Sequence, residues 1–134
     1  MAEARKLPKF IKTEDVIKIL DQINRKCWMG TRNYAIIMML YRAGLRVQEL
    51  CNLTLSDVDT EQGLIYVQQG KGKKDRYVPI DADLKKALSE WLKIHPQNSE
   101  YLICTYKGGQ LDQRYVRELC YRLSEKAGVY IQDG

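Results

Sequence analysis

The order of patterned segments predicts an α+β fold, mainly helical, with helices packed around a small antiparallel β-hairpin or sheet. Three observations carry this expectation. Apolar residues recur at helical spacing in several separate stretches, each with a start or stop signal. Two short β-prone runs, "LIYVQQ" and "RYVPI", flank the glycine-bearing loop "GKGKKD", the pattern of a hairpin. Strands and helices do not alternate along the chain, which argues against a doubly wound sheet.

The elements follow in order. The basic opening "MAEARKLPKF", held extended by Pro8, reads as a linker over 1–10, with one domain over 11–134. "TEDVIKILDQI" predicts a helix with Thr13 as N-cap, acids in the first turn and a stripe of Val16, Ile19, Leu20 and Ile23. "TRNYAIIMMLYRAG" predicts a helix capped by Thr31 and stopped by Gly44; being apolar nearly all round, it belongs at the centre of the core. "LRVQELCNL" predicts a short helix starting at Leu45 or Arg46, with Leu45, Leu50 and Leu53 inward. "SDVDTEQG" reads as a turn-rich connector to the hairpin. "ADLKKALSEWLKIHP" places Leu84, Ala87, Leu88, Trp91 and Leu92 on one helical face, and "YLICTY" suggests a further short strand. The last predicted helix is capped by Asp112, striped by Val116, Leu119, Cys120 and Leu123, and ended by Gly128.

A chain of 134 residues is long enough to bury a core, and its 45% hydrophobic and 29% charged residues are ordinary for a globular domain. The 22 lysines and arginines against 17 acids leave a net charge of +5, compatible with an anionic partner. Cys27, Cys51, Cys104 and Cys120 form no C-x-x-C pair, and the single histidine, His95, is remote from them in sequence, so no metal site is expected. Reduced core thiols point to a cytoplasmic protein. The longest strictly apolar run, 35–40, is too short to cross a bilayer.

The chemistry concentrates in two places. Arg46 follows the Gly44 stop, where a helix start offers free amide N–H groups, and its planar fork of donors suits a phosphate. The plainer alternative is an i,i+3 ion pair with Glu49, which is also compatible with Glu49 orienting the guanidinium. In "GKGKKDR", Lys71, Lys73, Lys74 and Arg76 crowd a hairpin tip. This is either a solvated turn or a set of phosphate contacts that position nucleic acid without reading its sequence. His95, at a helix end before Pro96, reads as a C-terminal capping residue, and "GKGKKD" lacks the spacing of a Walker loop.

Together, "LYRAGLRVQELCNLTLSDVD" and the downstream "GKGKKDRYVPI" resemble the first part of a tyrosine recombinase (phage integrase) catalytic domain, and "LPKFIKTEDVIKIL" is similar to the way that domain begins. The resemblance covers almost the whole chain. It implies that Arg46 is the first catalytic arginine, binding the scissile phosphate, and that Lys71 protonates the leaving sugar oxygen. It further implies that Glu49 supports the arginine. Members cut and rejoin double-stranded DNA without cofactor or metal, through a tyrosine bound covalently to the DNA phosphate. The implied partner is duplex DNA, with the full-length parent assembling as an oligomer on it; no membrane and no small-molecule substrate is involved. Lys73, Lys74, Arg76 and, on the last helix, Arg114 are the expected DNA contacts.

The family's His-x-x-Arg motif and nucleophilic tyrosine have no counterpart here: His95 is followed by Pro96, Gln97 and Asn98, and Tyr130 lacks the upstream motif. The expectation is a fragment of a larger recombinase, inactive alone, with apolar surface uncovered. The alternative is a non-catalytic DNA-binding or interaction module that uses Gln113, Arg114 and Arg117.

Overall fold

The computed structural model describes residues 12–68 and 74–129, so the expected linker and Tyr130 lie outside the described residues. Five helices and a three-stranded sheet follow one another as α1 (Thr13–Asp21), α2 (Trp28–Tyr41), α3 (Val47–Asn52), β1 (Val58–Asp59), β2 (Leu64–Val67), β3 (Arg76–Pro79), α4 (Ala82–Ile94) and α5 (Gln113–Ala127). The fold is therefore mainly helical, as the sequence pattern predicts.

Helix α2 is the centre. Ala35 to Leu40 are all buried, so every side of its second half meets protein. Packing against α4 on one flank and α1 and α3 on others accounts for that all-round apolarity. Its start lies earlier than expected: Cys27 is the N-cap, its Sγ accepting the Gly30 N–H at 3.4 Å. Thr31 is inside the helix and donates its hydroxyl to the carbonyls of Arg25 (3.0 Å) and Cys27 (3.1 Å). A Cβ at Gly30 would stand 1.7 Å from the Asn24 carbonyl oxygen, so this early start requires glycine there. Similarly, Lys12 rather than Thr13 occupies the N-cap of α1, and makes no side-chain cap. Helix α4 is capped by Asp81, which accepts the Leu84 N–H. Helix α5 begins and ends as the sequence implies, with Asp112 accepting the Arg114 N–H and left-handed Gly128 closing it.

The sheet is an antiparallel meander in the order β1-β2-β3; the connector expected to be turn-rich also contributes β1, pairing Val58 with Ile65 and Asp59 with Leu64. Across β2 and β3, Ile65 faces Val78, Tyr66 faces Tyr77 and Val67 faces Arg76. Alternation then puts Ile65, Val67, Val78 and Arg76 on the inner face and the two tyrosines, 5.3 Å apart, on the outer one.

The segment "YLICTY" forms isolated bridges, Thr54 with Tyr101 and Cys104 with Gln110, rather than a strand. The reason is that side chains take its carbonyls. Trp91 Nε1 donates to Leu102 (2.7 Å), Arg32 Nη1 donates to Cys104 (3.2 Å), and His95 Nε2 bonds Tyr101 (2.7 Å). Arg32, unremarked in the sequence pattern, is only 4% exposed and also donates to Asn33 Oδ1 and the Tyr115 hydroxyl. No carboxylate meets it among the described residues. All four cysteines are free, with Cys51, Cys104 and Cys120 buried. Among the described residues, the exposed large apolar side chains are Ile17, Met29, Leu55, Tyr77, Ile94 and Tyr106, on six separate segments.

Candidate nucleic-acid interface

The chain turns sharply between α2 and α3, and glycine makes the turn possible. Gly44 has φ +72°, and the Ala43 and Leu45 N–H groups bond back to the Met38 and Met39 carbonyls at 3.2 and 3.1 Å. Leu45 is buried beneath the turn while Arg46, next to it, is exposed. Arg46 is the N-cap of α3 with extended backbone, and the first helical residue is Val47. At six residues, α3 has little dipole to offer, so any anion binding here rests on the guanidinium.

The pair expected between Arg46 and Glu49 exists only through the backbone. Glu49 Oε1 accepts the Arg46 N–H at 2.8 Å, which fixes where the Arg46 side chain leaves the chain. The carboxylate itself belongs to Arg76. Arg76 Nη1 lies 2.5 Å from Oε2 and Nη2 lies 3.0 Å from Oε1, a two-pronged pair. Glu49's side chain is 7% exposed and Arg76's 35%. Burial pushes the Glu49 carboxyl up, but the bonds from Arg76 and the Arg46 amide outweigh it and hold the group below its ordinary range. The same bond to Glu49 raises Arg76, keeping it charged. Among the described residues, no hydrogen bond or ion pair occupies the Arg46 guanidinium.

Arg76, expected in the row of outward phosphate contacts, has its guanidinium turned in to Glu49. The signal was present. Alternation in "RYVPI" puts Arg76 on the same face as buried Val78, so it had to find an inner partner. Lys71 and Lys73 lie outside the described residues. Lys74 is exposed. The strand ends from which this loop departs are held in place, because Val67 pairs with Arg76 and the Tyr66 hydroxyl bonds Asp75. Arg114 is not drawn into this group. It sits on the first turn of α5, 85% exposed, with Nε 3.1 Å from Glu118 Oε1. Arg117 bonds Gln113 on the same helix. Among the described residues, no cluster of three or more His, Cys, Asp or Glu side chains suits a metal ion, and no helix is long and apolar enough to cross a membrane.

Comparison with known proteins places the chain among relatives of one family. The family model described as the phage integrase family matches residues 9–133. Tyrosine recombinase XerA of Thermococcus kodakarensis is 41% identical over 132 residues, covering 95% of this chain and 45% of the relative. Tyrosine recombinase XerC of Halalkalibacterium halodurans is 34% identical over 135 residues, covering 93% and 44%. The crystal structure of XerA recombinase superposes with a TM-score of 0.78 at 28% identity, over 96% of this chain and 46% of that one. That of XerH site-specific recombinase bound to its difH substrate gives 0.75 at 30% identity, over 96% and 40%. The chain therefore spans a little under half the length of these relatives, and with the family model matching nearly all of it, the chain belongs to the phage integrase family.

Proposed function

We propose that this chain supplies the first-arginine part of the catalytic domain of a site-specific recombinase, one that cuts and rejoins duplex DNA through a covalent phosphotyrosine. The observation that carries this reading is Arg46: an exposed guanidinium with no hydrogen-bond or ion-pair partner among the described residues, on a backbone pinned by Glu49. Stabilisation of charge on a phosphoryl group requires a cation fixed beforehand and left free of internal acceptors. Lys71 is the proposed proton donor to the leaving sugar oxygen. Lys73, Lys74 and Arg114 are proposed phosphate contacts, with each displaced counterion adding affinity.

No His-x-x-Arg stands in these 134 residues, so on this reading that motif and the nucleophilic tyrosine come from another part of the recombinase. Covalent attachment conserves the phosphodiester bond energy for resealing, so neither metal nor nucleotide is needed. The XerH relative is bound to its difH substrate, which supports duplex DNA as the partner here. Exchange between two duplexes requires several copies, so the whole protein acts as an oligomer on DNA. We place it in the cytoplasm, a reading supported by four free cysteines.

The test is duplex binding by fluorescence anisotropy together with a cleavage assay. The 134-residue chain is expected to bind weakly and salt-dependently and to form no adduct, with Arg46→Ala losing most of the affinity. In the longer recombinase carrying this sequence, Lys71→Ala should cut cleavage while binding falls little. Loss of binding alone would favour the non-catalytic module, and a covalent adduct on the isolated chain would refute the assignment.

A further inference from the structure

We propose that Arg76 is a positioning residue whose task is to occupy Glu49, so that the Arg46 guanidinium stays free for a phosphate. This rests on the role just proposed for Arg46. The geometry presents a competition. Glu49 is a buried carboxylate three residues after Arg46, the spacing at which side chains on one helical turn meet. Left to itself, a buried carboxylate draws the nearest cation, because an uncompensated charge there is costly. The nearest cation on its own element is Arg46, whose charge already acts on Glu49. In the structure that capture does not occur. Arg76 reaches across from β3 and bonds both carboxylate oxygens, at 2.5 and 3.0 Å, while Arg46 gives Glu49 only its backbone N–H.

The placement of Arg76 is built into the sheet. Register opposite Val67 and alternation with Val78 turn it to the inner face, where α3 begins. Its neighbour Asp75 is bonded by the Tyr66 hydroxyl, so the strand end carrying Arg76 is fastened at two successive residues. An arginine suits this task better than a lysine, since its planar fork saturates both oxygens together and leaves none for a second cation. In this arrangement the bidentate pair contributes to DNA binding without touching DNA.

The experiment is duplex affinity of the 134-residue chain by fluorescence anisotropy, with melting curves on every variant. Arg76→Gln is expected to weaken binding about tenfold, as Glu49 captures Arg46. Adding Glu49→Gln to that variant should restore most of the lost affinity, since no carboxylate remains to hold Arg46. Adding Arg46→Ala to it instead should cost little more. If Arg76 were itself a phosphate contact, Glu49→Gln would restore nothing and the loss would add to that of Arg46→Ala; that result overturns the proposal, as does affinity that merely tracks the melting temperature. Should Arg76→Gln not fold, Arg76→Lys and its combination with Glu49→Gln make the same comparison, with a smaller loss again reversed. If Arg46→Ala alone leaves affinity unchanged, the functional reading fails rather than this one.

Discussion

Two arginines, one on α2 and one at the N-cap of α3, show how one side chain serves two purposes. Arg32, on the first turns, is buried and gives its protons to neutral acceptors: the Asn33 side chain, the Cys104 carbonyl and the Tyr115 hydroxyl at 2.6 Å. Arg46, at the start of α3, is exposed and gives the fold only its backbone, the amide to Glu49 and the carbonyl to Leu50. The first is an internal fastener joining α2 to the segment before α5 and to α5 itself. The second is presented outward on a base that other residues make rigid. Burial lowers Arg32's hold on its proton, partly offset by Tyr115, yet an arginine stays charged under any ordinary condition. So the interior pays for a full charge at Arg32 and gains attachment, whereas at Arg46 the charge remains in water until a ligand arrives.

The largest effect that tests this contrast is on stability. Arg32→Ala strands three acceptors and opens a cavity, and should cost about 3 kcal/mol in urea unfolding. Loss below about 1 kcal/mol would mean that water replaces the guanidinium at no cost, and the interior role would fall.

The contrast also explains what the sequence made legible. The helices, their apolar stripes and the hairpin were readable because period and turn chemistry are local properties of the chain, as at Asp112 and Gly128. Arg46 was readable because a glycine stop followed by a cation is a local pattern too. Arg32 was not: its acceptors at positions 104 and 115 are distant in sequence and neither is charged, so nothing near "TRNY" announces them. The Arg76–Glu49 pair lies between these cases. Strand alternation turned Arg76 inward, but that its partner would be Glu49 depends on how the meander meets α3. The early start of α2 was missed because a cysteine N-cap competes poorly with threonine on any preference scale.

A smaller effect concerns the base on which Arg46 stands. Glu49's folded-state affinity for protons is held below the ordinary value of 4.5, so its contribution to stability is present above that pH. It is lost as pH falls through the lowered folded value. Glu49→Gln should therefore be less stable than the parent by about 2 kcal/mol at pH 7, with the gap closing in acid. A gap that persisted unchanged at about pH 3 would show that the ion pair is not its source. Smaller again on stability is Arg46→Ala, expected within about 0.5 kcal/mol of the parent. If Arg46 holds a phosphate as proposed, its effect is read on DNA, where losing one phosphate contact should reduce the salt slope by about 0.9.

The finest comparison uses the thiols as reporters of how each region opens. Cys27 is exposed and should react at once with a disulfide reagent at about pH 7.5. Cys51, near the end of α3, is pushed up to about 11 by burial, with Arg117 pulling the other way. Cys104, beside Arg32, is buried and raised as well. Both must wait for local opening, and the openings differ in what they break. Freeing Cys51 requires unwinding a six-residue helix held at its end by Gln110 through the Cys51 carbonyl and Asn52. Freeing Cys104 requires releasing Arg32 and, two residues away, the Trp91 bond to Leu102. Opening is costlier where more buried packing and more interior hydrogen bonds must break, so Cys51 should be labelled before Cys104. Arg32→Ala should reverse that order without altering Cys27. Mass spectrometry of partially labelled protein reads the order directly. Labelling of Cys104 ahead of Cys51 in the parent would mean that the Arg32 end is the softer one, and the division between fastener and presented cation would have to be abandoned.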